Sequence, residues 1–259
     1  EESIGRMFLA GIVPGIMLAT MFATLILVFA YVFPHKIFQG GVQKADADVE
    51  TETAATAAVK FIPILLLVVL VLGGLYSGFF TPTEAGAVGA AGAFLIAIIR
   101  RRLTGYVSVA VLFLIAAASL YSRMLAMTGM PAAITESITQ MGLGPWGFLF
   151  AYIVIVVLLG CIIDSVSIML IMLPIVLPIA AAFNMDLIWF GVLTVLAVEI
   201  GLLTPPFGVS VYTVKSALNN PGITIRDIFA GTFPFVMVMV LALLILASFP
   251  SLSTWLARM

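Results

Sequence analysis

Two helix-breaking clusters interrupt the longest apolar stretch of this 259-residue sequence, which runs from Val156 to Leu218. The first cluster reads GCIIDSVS at positions 160–167, and the second reads EIGLLTPPFG at positions 199–208. Inside a bilayer an unpaired backbone polar group costs several kcal/mol, so irregular backbone survives only where protein or a water-filled cavity covers it. Two breaks in one apolar stretch therefore predict a binding site within a membrane.

The composition places the whole chain in the membrane. Hydrophobic residues make up 63% and charged residues 9% of the sequence, and its mean hydropathy is +1.28, values that exclude a soluble globular domain. We expect a multi-pass, all-α integral membrane protein. The net charge of −1 and the lack of a basic stripe predict no nucleic-acid partner. With one cysteine and one histidine, the sequence also predicts no metal or organic cofactor beyond a coupling ion.

Apolar segments of about 20 residues are long enough to cross a bilayer, and they divide the chain into seven parts. The first helix is expected from Met7 to Phe33 and the last from Ile228 to about Leu256. Thr83 is the expected N-cap of a helix rich in small residues from Ala85 to Ile99. The seven parts are a transmembrane helix in 1–38, a polar cytoplasmic loop in 39–60, transmembrane helices in 61–130, an interfacial connector in 131–144, a helical hairpin in 145–185, a broken transmembrane helix in 186–219 and a C-terminal transmembrane helix in 226–259.

Basic residues predict the orientation, because cytoplasmic loops are enriched in Lys and Arg. With Arg100–Arg102 in the cytoplasm, alternation leaves Arg6, Arg123 and Arg258 on the other face. Eight of the 11 basic residues then lie inside: Lys36, Lys44, Lys60, Arg100, Arg101, Arg102, Lys215 and Arg226. The charges support one crossing from 187 to 218, but they leave open whether 145–183 is a re-entrant hairpin or two full spans.

The second break has the chemistry of an ion or substrate site. Pro205 and Pro206 remove two backbone donors, while Gly201 and Gly208 permit unusual backbone angles and Thr204 adds a hydroxyl. A helix that breaks at mid-membrane exposes N–H groups that suit anions and carbonyl groups that suit cations. The alternative is a proline kink whose freed groups are satisfied by neighbouring helices.

Asp164 lies between two apolar arms of similar length, at the tip of the expected hairpin. An ionisable side chain at the bilayer centre costs about 2.5 to 3.5 kcal/mol on insertion scales, so it usually has a partner or a task. Sodium is a natural partner, since Asp164, Ser165, Ser167 and the carbonyls near Gly160 and Gly201 supply the oxygen ligands that hard cations prefer. The alternative is that Asp164 only caps a helix in an aqueous loop.

Glu199 is expected to be buried next to the second break. It is a candidate proton acceptor, ion ligand or hydrogen-bonded structural carboxylate, and the sequence does not decide among these roles. Asp164 and Glu199 together also suggest a different class of protein, an intramembrane enzyme with a carboxylate pair. No second catalytic signature accompanies them, since the one histidine, His35, lies in a loop. A purely structural scaffold would leave both breaks unexplained.

Five motifs resemble those of one protein family. They are GIVPG at 11–15, GFFTPTEA at 78–85, Asp164 followed by Pro174 and Pro178, FG at 190–191, and IGLLTPPFG at 200–208. Their order and spacing extend along the whole chain. The sequence thus resembles the large membrane (M) subunit of tripartite ATP-independent periplasmic (TRAP) transporters.

The resemblance implies a secondary transporter rather than an enzyme, with the elevator-type inverted-repeat fold of the ion-transporter superfamily. By this analogy the hairpin and the broken helix form the transport domain, 1–38 and 61–130 belong to the scaffold and arm, and mostly the second repeat is present. The implied activity is sodium-coupled uptake of a small organic anion, such as a C4-dicarboxylate or sialic acid, across a bacterial or archaeal inner membrane. The implied partners are a small membrane (Q) subunit and a periplasmic substrate-binding (P) protein.

Site residues also follow from the resemblance. The implied sodium-binding residues are Gly160, Asp164, Ser165, Gly201, Thr204 and Pro206, and the implied substrate-binding residues are Ser167, Phe207, Gly208 and Ser210. Glu199 is a possible coupling residue. Ser210 stands where the family is expected to have asparagine. Proton coupling, or anion symport without a binding protein, remains the alternative.

Overall fold

The computed structural model describes residues 4–32, 54–99, 127–140, 144–218 and 222–259, together with Gly142 and scattered positions from 113 to 124. Every regular element within them is helical, which confirms the all-α prediction. The α-helices are α1 (Ile4–Val32), α2 (Ala54–Tyr76), α3 (Pro82–Ile99), α4 (Met130–Gln140), α5 (Pro145–Gly160), α6 (Ser165–Ala182), α7 (Leu187–Leu203), α8 (Val209–Leu218), α9 (Ile225–Ser248) and α10 (Ser251–Thr254).

Three of the described helices are long and apolar enough to cross a membrane: Arg6–Val32, Ser165–Ala182 and Ile225–Ser248. Shorter apolar helices cover Phe61–Tyr76, Glu84–Ile99, Pro145–Gly160 and Leu187–Leu203. This composition supports the predicted multi-pass membrane protein. By their contacts the residues form two units, Val28–Ile115 and a larger unit of Arg6–Leu27 with Ala116–Met259.

Within the smaller unit, α2 and α3 form an antiparallel pair in which small residues permit close packing. A Cβ placed on Gly92 would lie 2.4 Å from Cδ1 of Leu67, and one on Gly89 would lie 3.1 Å from Cγ2 of Val71. The N-cap of α3 is Thr81 rather than the expected Thr83. Its N–H and hydroxyl both donate to the Glu84 carboxylate at 2.8 Å, because Pro82 is the first residue of the helix and Glu84 the third.

Two boundaries differ from the predicted segments. Helix α2 begins at Ala54, inside the segment 39–60 that was expected to be a polar loop; alanine is the strongest helix former, so the helix starts before the apolar run at Phe61. The rest of that loop and Arg100–Arg102 lie outside the described residues. Helix α9 ends at Ser248, short of the expected Leu256, because Pro250 disfavours helical backbone at Phe249.

The larger unit is organised around α5 and α7, which run parallel to each other. Trp146 lies edge-on to Trp189, with ring centroids 6.1 Å apart, and the far ends of the two helices meet at Gly160 and Gly201. Helix α6 then returns, since Phe183 at its C-terminal end lies 5.6 Å from Phe148 in ring-centroid distance. The segment 145–183 therefore begins and ends beside the N-terminal end of α7.

Helix α9 completes the core of this unit and runs back along α7. The indole Nε1–H of Trp189 donates to the carbonyl of Leu246 at 2.7 Å. Phe190, Leu193, Ala197 and Val198 of α7 are completely buried in the centre of this packing. The packing of α5 and α9 on α7 thus fixes where the two helix breaks lie.

Candidate functional site

The first break separates α5 from α6. After Gly160 the N–H groups of Ile162 and Ile163 both donate to the carbonyl of Leu159, at 2.9 and 2.8 Å, and the chain then turns. Asp164 has extended backbone angles and N-caps α6. Its carboxylate accepts the backbone N–H of Ser167 at 3.0 Å and the hydroxyl of Ser167 at 2.6 Å. The capping role that was the alternative for Asp164 is therefore present, and the Asp164 side chain remains exposed.

The second break separates α7 from α8. Pro205 and Pro206 cannot donate the α-helical hydrogen bonds that the carbonyls of Gly201 and Leu202 would otherwise receive. The N–H of Thr204 instead reaches the carbonyl of Gly201 at 3.0 Å, and its hydroxyl donates to the carbonyl of Ile200 at 2.5 Å. The predicted double-proline break is therefore observed as a break in the helix.

The two breaks are in direct contact. The N–H of Gly208 donates to the carbonyl of Cys161 at 3.2 Å. Gly208 has φ +53°, and a Cβ there would lie 2.8 Å from the Phe229 ring. Both the left-handed backbone angle and the lack of space for a side chain favour glycine at this position. We call this contact, formed by 160–164 and 204–208, the joint.

Close helix contact on one side of the joint depends on two glycines. A Cβ on Gly160 would lie 2.9 Å from the Cα of Gly201, and a Cβ on Gly201 would lie 2.6 Å from the carbonyl oxygen of Val157. The neighbouring atoms in both cases are backbone, which cannot move aside as a flexible side chain can. The carbonyl ends of α5 and α7 consequently converge at the joint.

The structure brings several of the predicted site residues together. Gly160 and Gly208 lie in the joint, Gly201 packs against Gly160 beside it, and Thr204, Pro206 and Asp164 belong to its two turns. Ser165 and Ser167 occupy the first turn of α6, and Ser210 lies in the first turn of α8. Phe207 is exposed and lines a shallow surface cavity together with Ile162, Val209 and Tyr212.

Glu199 differs from its expected position. Its side chain is exposed rather than buried, because it projects from the face of α7 that carries exposed Val195, away from the glycine contact with α5. It lines a second cavity of about 290 Å³, with α1 residues such as Pro14 and Leu18 and α9 residues such as Met239. The expectation of burial at the joint is corrected by this placement.

The charge at the joint comes mainly from backbone dipoles and from Asp164. No Lys, Arg or His occurs in the sequence from Pro145 to Val214. The C-termini of α5 and α7 present carbonyl groups there, and the N-termini of α6 and α8 present N–H groups. Such an arrangement has places for a cation and for an anion next to each other.

Reasoning from the sequence missed two features of the site. The carbonyl of Cys161 accepts the bond between the breaks, while its thiol is 2% exposed and donates to the carbonyl of Val157 at 3.2 Å. The second feature is a buried hydrogen bond of 3.0 Å between Tyr152 and Thr194. Isolated polar residues within apolar helices are the signal that would have indicated this pair.

Comparison with known proteins supports the resemblance found in the sequence. Residues 1–252 match the family model "Tripartite ATP-independent periplasmic transporter, DctM component". The C4-dicarboxylate TRAP transporter large permease of Pseudomonas aeruginosa is 33% identical, over 98% of this chain and 60% of the relative. The ectoine large permease of Halomonas elongata is 30% identical, over 98% of this chain and 60% of the relative.

A third relative, the sialic acid large permease of Vibrio cholerae, is 28% identical over 96% of this chain and 59% of its own length. The chain thus spans about three fifths of the length of these relatives. The match over nearly the whole chain, in a helical membrane protein, establishes its family. This chain belongs to the large permease (DctM) component family of tripartite ATP-independent periplasmic transporters, which are transporters rather than enzymes.

Proposed function

We propose that this chain carries an ion and substrate site of a sodium-coupled transporter, and that the site is the joint. The observation that carries the proposal is the hydrogen bond from Gly208 to Cys161, which ties one helix break to the other. A structural scaffold has no use for two broken helices whose irregular backbones meet. Discontinuous helices that meet at membrane depth are the usual framework of ion and substrate sites in secondary transporters.

The sodium ion would bind among oxygen atoms of the joint. Each carboxylate oxygen of Asp164 holds one hydrogen bond from Ser167, so each keeps a further acceptor position. The hydroxyls of Thr204 and Ser165 and the carbonyls near Gly160 and Gly201 are further oxygen donors. Pro206 contributes by leaving the carbonyl of Leu202 without its helical donor.

The organic anion would bind beside the sodium ion, toward the N-termini of α6 and α8. Ser167, Phe207, Gly208 and Ser210 are the candidate contacts. Because no basic residue lies between Pro145 and Val214, the bound sodium would supply much of the positive charge that the anion needs. The affinity for the anion therefore depends on sodium, which is the thermodynamic basis of coupling.

The lengths of α5 and α8 support a re-entrant hairpin rather than two full spans, although α6 by itself is long enough to cross a membrane. Helix α5 has 16 residues, about 24 Å at 1.5 Å per residue, and reaches only the break after α7. Helix α8 continues for 10 residues, about 15 Å, beyond that break. We propose that the hairpin ends inside the bilayer, and that hairpin and broken helix move together as an elevator.

The remaining subunits and the substrate follow from the relatives. Their names describe large permeases of TRAP transporters for C4-dicarboxylate, sialic acid and ectoine. We propose that this chain acts with a small membrane subunit and a periplasmic binding protein that delivers a small organic acid. Proton coupling is the competing mechanism, and replacement of sodium by potassium at constant pH separates the two.

The first prediction concerns the joint and is tested on the complete transporter in proteoliposomes with its partner proteins. Thr204→Val removes the hydroxyl, and Asp164→Asn keeps an N-cap but removes the charge. We expect either change to raise the sodium concentration for half-maximal uptake about tenfold or more, since each removes an ion ligand. Initial uptake rates measured against sodium concentration give this value.

Thr213→Val is the matched control, because its hydroxyl bonds only within α8, to Val209 at 3.0 Å. It should leave the sodium requirement unchanged. Unaltered sodium dependence in both Thr204→Val and Asp164→Asn would overturn the assignment of the joint. Uptake by the unaltered transporter that proceeds equally well in potassium would overturn sodium coupling itself.

A further inference from the structure

One polar pair lies inside the otherwise apolar contact between α5 and α7. Tyr152 is 3% and Thr194 is 2% exposed, and their hydroxyl oxygens are 3.0 Å apart. The Thr194 hydroxyl donates to the carbonyl of Phe190 at 2.8 Å. Its proton is therefore used, so the Tyr152 hydroxyl is the donor to Thr194. All hydrogen-bonding groups of the pair are thus satisfied in one arrangement of the two helices.

The aromatic contacts around this pair define the position of α5 along α7 less sharply. Phe148 and Tyr152 stack on Phe190 with ring centroids 6.3 and 4.8 Å away, and stacked rings tolerate small displacements. A displaced α5 would leave the Tyr152 hydroxyl without a partner in an apolar interior, which is unfavourable. The hydrogen bond therefore selects one register of α5 against α7.

That register determines whether the joint can form. Gly160 follows Tyr152 by two helical turns, and Gly201 follows Thr194 by two turns. The two glycines meet, and the Cys161 carbonyl reaches the Gly208 N–H, only when α5 and α7 are in step. The polar pair lies outside the joint, since Tyr152 precedes Gly160 by eight residues and Thr194 precedes Thr204 by ten.

We infer that Tyr152 and Thr194 are positioning residues that hold the first arm of the hairpin in register with α7 and so keep the joint closed before any ion binds. The inference rests on the proposed function, in which the closed joint binds sodium. Loss of the pair increases the fraction of molecules with an open joint. Apparent sodium affinity falls in proportion to the fraction that remains closed.

Cys161 reports directly on the opening of the joint. It is the only cysteine of this sequence, its thiol is buried, and its carbonyl is one end of the bond between the breaks. A maleimide reagent reaches this thiol only when the joint opens. The rate of labelling therefore follows the open fraction whether or not transport occurs.

The experiment compares Tyr152→Phe, Thr194→Val and Thr194→Ser in the complete transporter. We expect Tyr152→Phe and Thr194→Val to speed N-ethylmaleimide labelling of Cys161 about three- to tenfold, the equivalent of one hydrogen bond within a membrane. The sodium concentration for half-maximal uptake should rise by up to the same factor. Thr194→Ser keeps the hydroxyl and should behave like the unaltered protein. The double variant Tyr152→Phe/Thr194→Val should show the same labelling rate and sodium requirement as either single variant, because both changes remove the same hydrogen bond.

Two control variants remove a tyrosine hydroxyl and a threonine hydroxyl outside the contact between α5 and α7. Tyr76→Phe alters an exposed tyrosine of α2, and Thr20→Val alters a threonine whose hydroxyl bonds only within α1, to Ile16 at 2.8 Å. Both should leave the labelling of Cys161 unchanged. The labelled peptide is identified by mass spectrometry, so that other cysteines of the complete transporter do not interfere.

The outcomes separate this inference from the proposed function. If the unaltered transporter shows no sodium dependence, the proposed function fails whatever the variants do. If it is sodium-dependent and Tyr152→Phe has unaltered labelling and sodium requirement, the positioning role fails. If Tyr152→Phe lowers only the yield of folded transporter and leaves the labelling rate of Cys161 unchanged, the positioning role also fails, and Tyr152 is a purely stabilising residue.

Discussion

At the scale of single residues, the joint depends on two glycines, whose lack of a side chain lets α5 and α7 approach closely. Gly160 and Gly201 face each other so closely that a methyl group on either would overlap backbone atoms of the other helix. Backbone atoms yield only if a whole helix moves, so the cost cannot be relieved by a change of rotamer. Small residues at a membrane helix contact allow this close approach.

The second prediction tests this contact with Gly201→Ala. The added Cβ would lie 2.6 Å from the Val157 carbonyl oxygen, so we expect α5 to be displaced and the free energy of unfolding to fall by about 1 to 3 kcal/mol. Thermal unfolding of the purified protein in detergent measures the change. Gly231→Ala is the control, because a Cβ at Gly231 meets nothing within 4 Å. If Gly201→Ala were as stable as this control, the close contact would be absent in the protein.

At the scale of elements, α7 is the helix on which the larger unit is assembled. Asp186 starts it, accepting the N–H groups of Ile188 at 2.9 Å and Trp189 at 3.0 Å. The same carboxylate pairs with the Arg258 guanidinium near the C-terminus of the chain. One side chain thus caps the central helix and connects the end of the chain to it.

The third prediction separates these two roles of Asp186. Asparagine retains capping ability and loses the charge, whereas alanine loses both. We expect Asp186→Ala to lower the free energy of unfolding by about 1 kcal/mol and Asp186→Asn to lower it by less, since the Arg258 side chain of the ion pair is 67% exposed and surface pairs contribute little. Thermal unfolding distinguishes them. Equal losses in the two variants would show that the ion pair, not the cap, dominates.

At the scale of the whole molecule, the fold of the larger unit is consistent with the charge assignment. Asp186 and Arg258 lie together at one end of α7, which the distribution of basic residues places outside the cytoplasm. Lys215, in the last turn of α8, and Arg226, in the first turn of α9, lie past the far end of α7, and the Lys215 ammonium donates to the carbonyl of Ile223 at 2.5 Å. A single crossing of the membrane by 187–218 agrees with this arrangement and stays a prediction.

The fourth prediction tests this orientation with single cysteines in a Cys161→Ser background. Asn184 precedes α7 and Ser216 lies near the end of α8, and both side chains are exposed. We expect a membrane-impermeant maleimide to label Asn184→Cys only from the periplasmic side and Ser216→Cys only from the cytoplasmic side. Right-side-out and inverted vesicles provide the two conditions. Labelling of both positions from one side would contradict a single crossing.

The sequence by itself determined where the two helix breaks lie and what kind of molecule contains them. Pro205 and Pro206 lack backbone donors wherever the chain places them, and Asp164 and Asp186 cap helices through local contacts. These are properties of neighbouring residues, and so the two breaks were predictable. The family followed from the same motifs, whose order along the chain is a property of sequence alone.

Only the tertiary structure decided that the breaks meet, which register α5 takes on α7 and which way Glu199 points. The bond between Gly208 and Cys161 and the pair of Tyr152 with Thr194, 42 residues apart, join segments that are distant in sequence. Whether such segments meet depends on how whole helices pack, and hydropathy is nearly uniform around helices this apolar. The sequence pattern therefore could not indicate which face of α7 would contact α5 and which would carry Glu199.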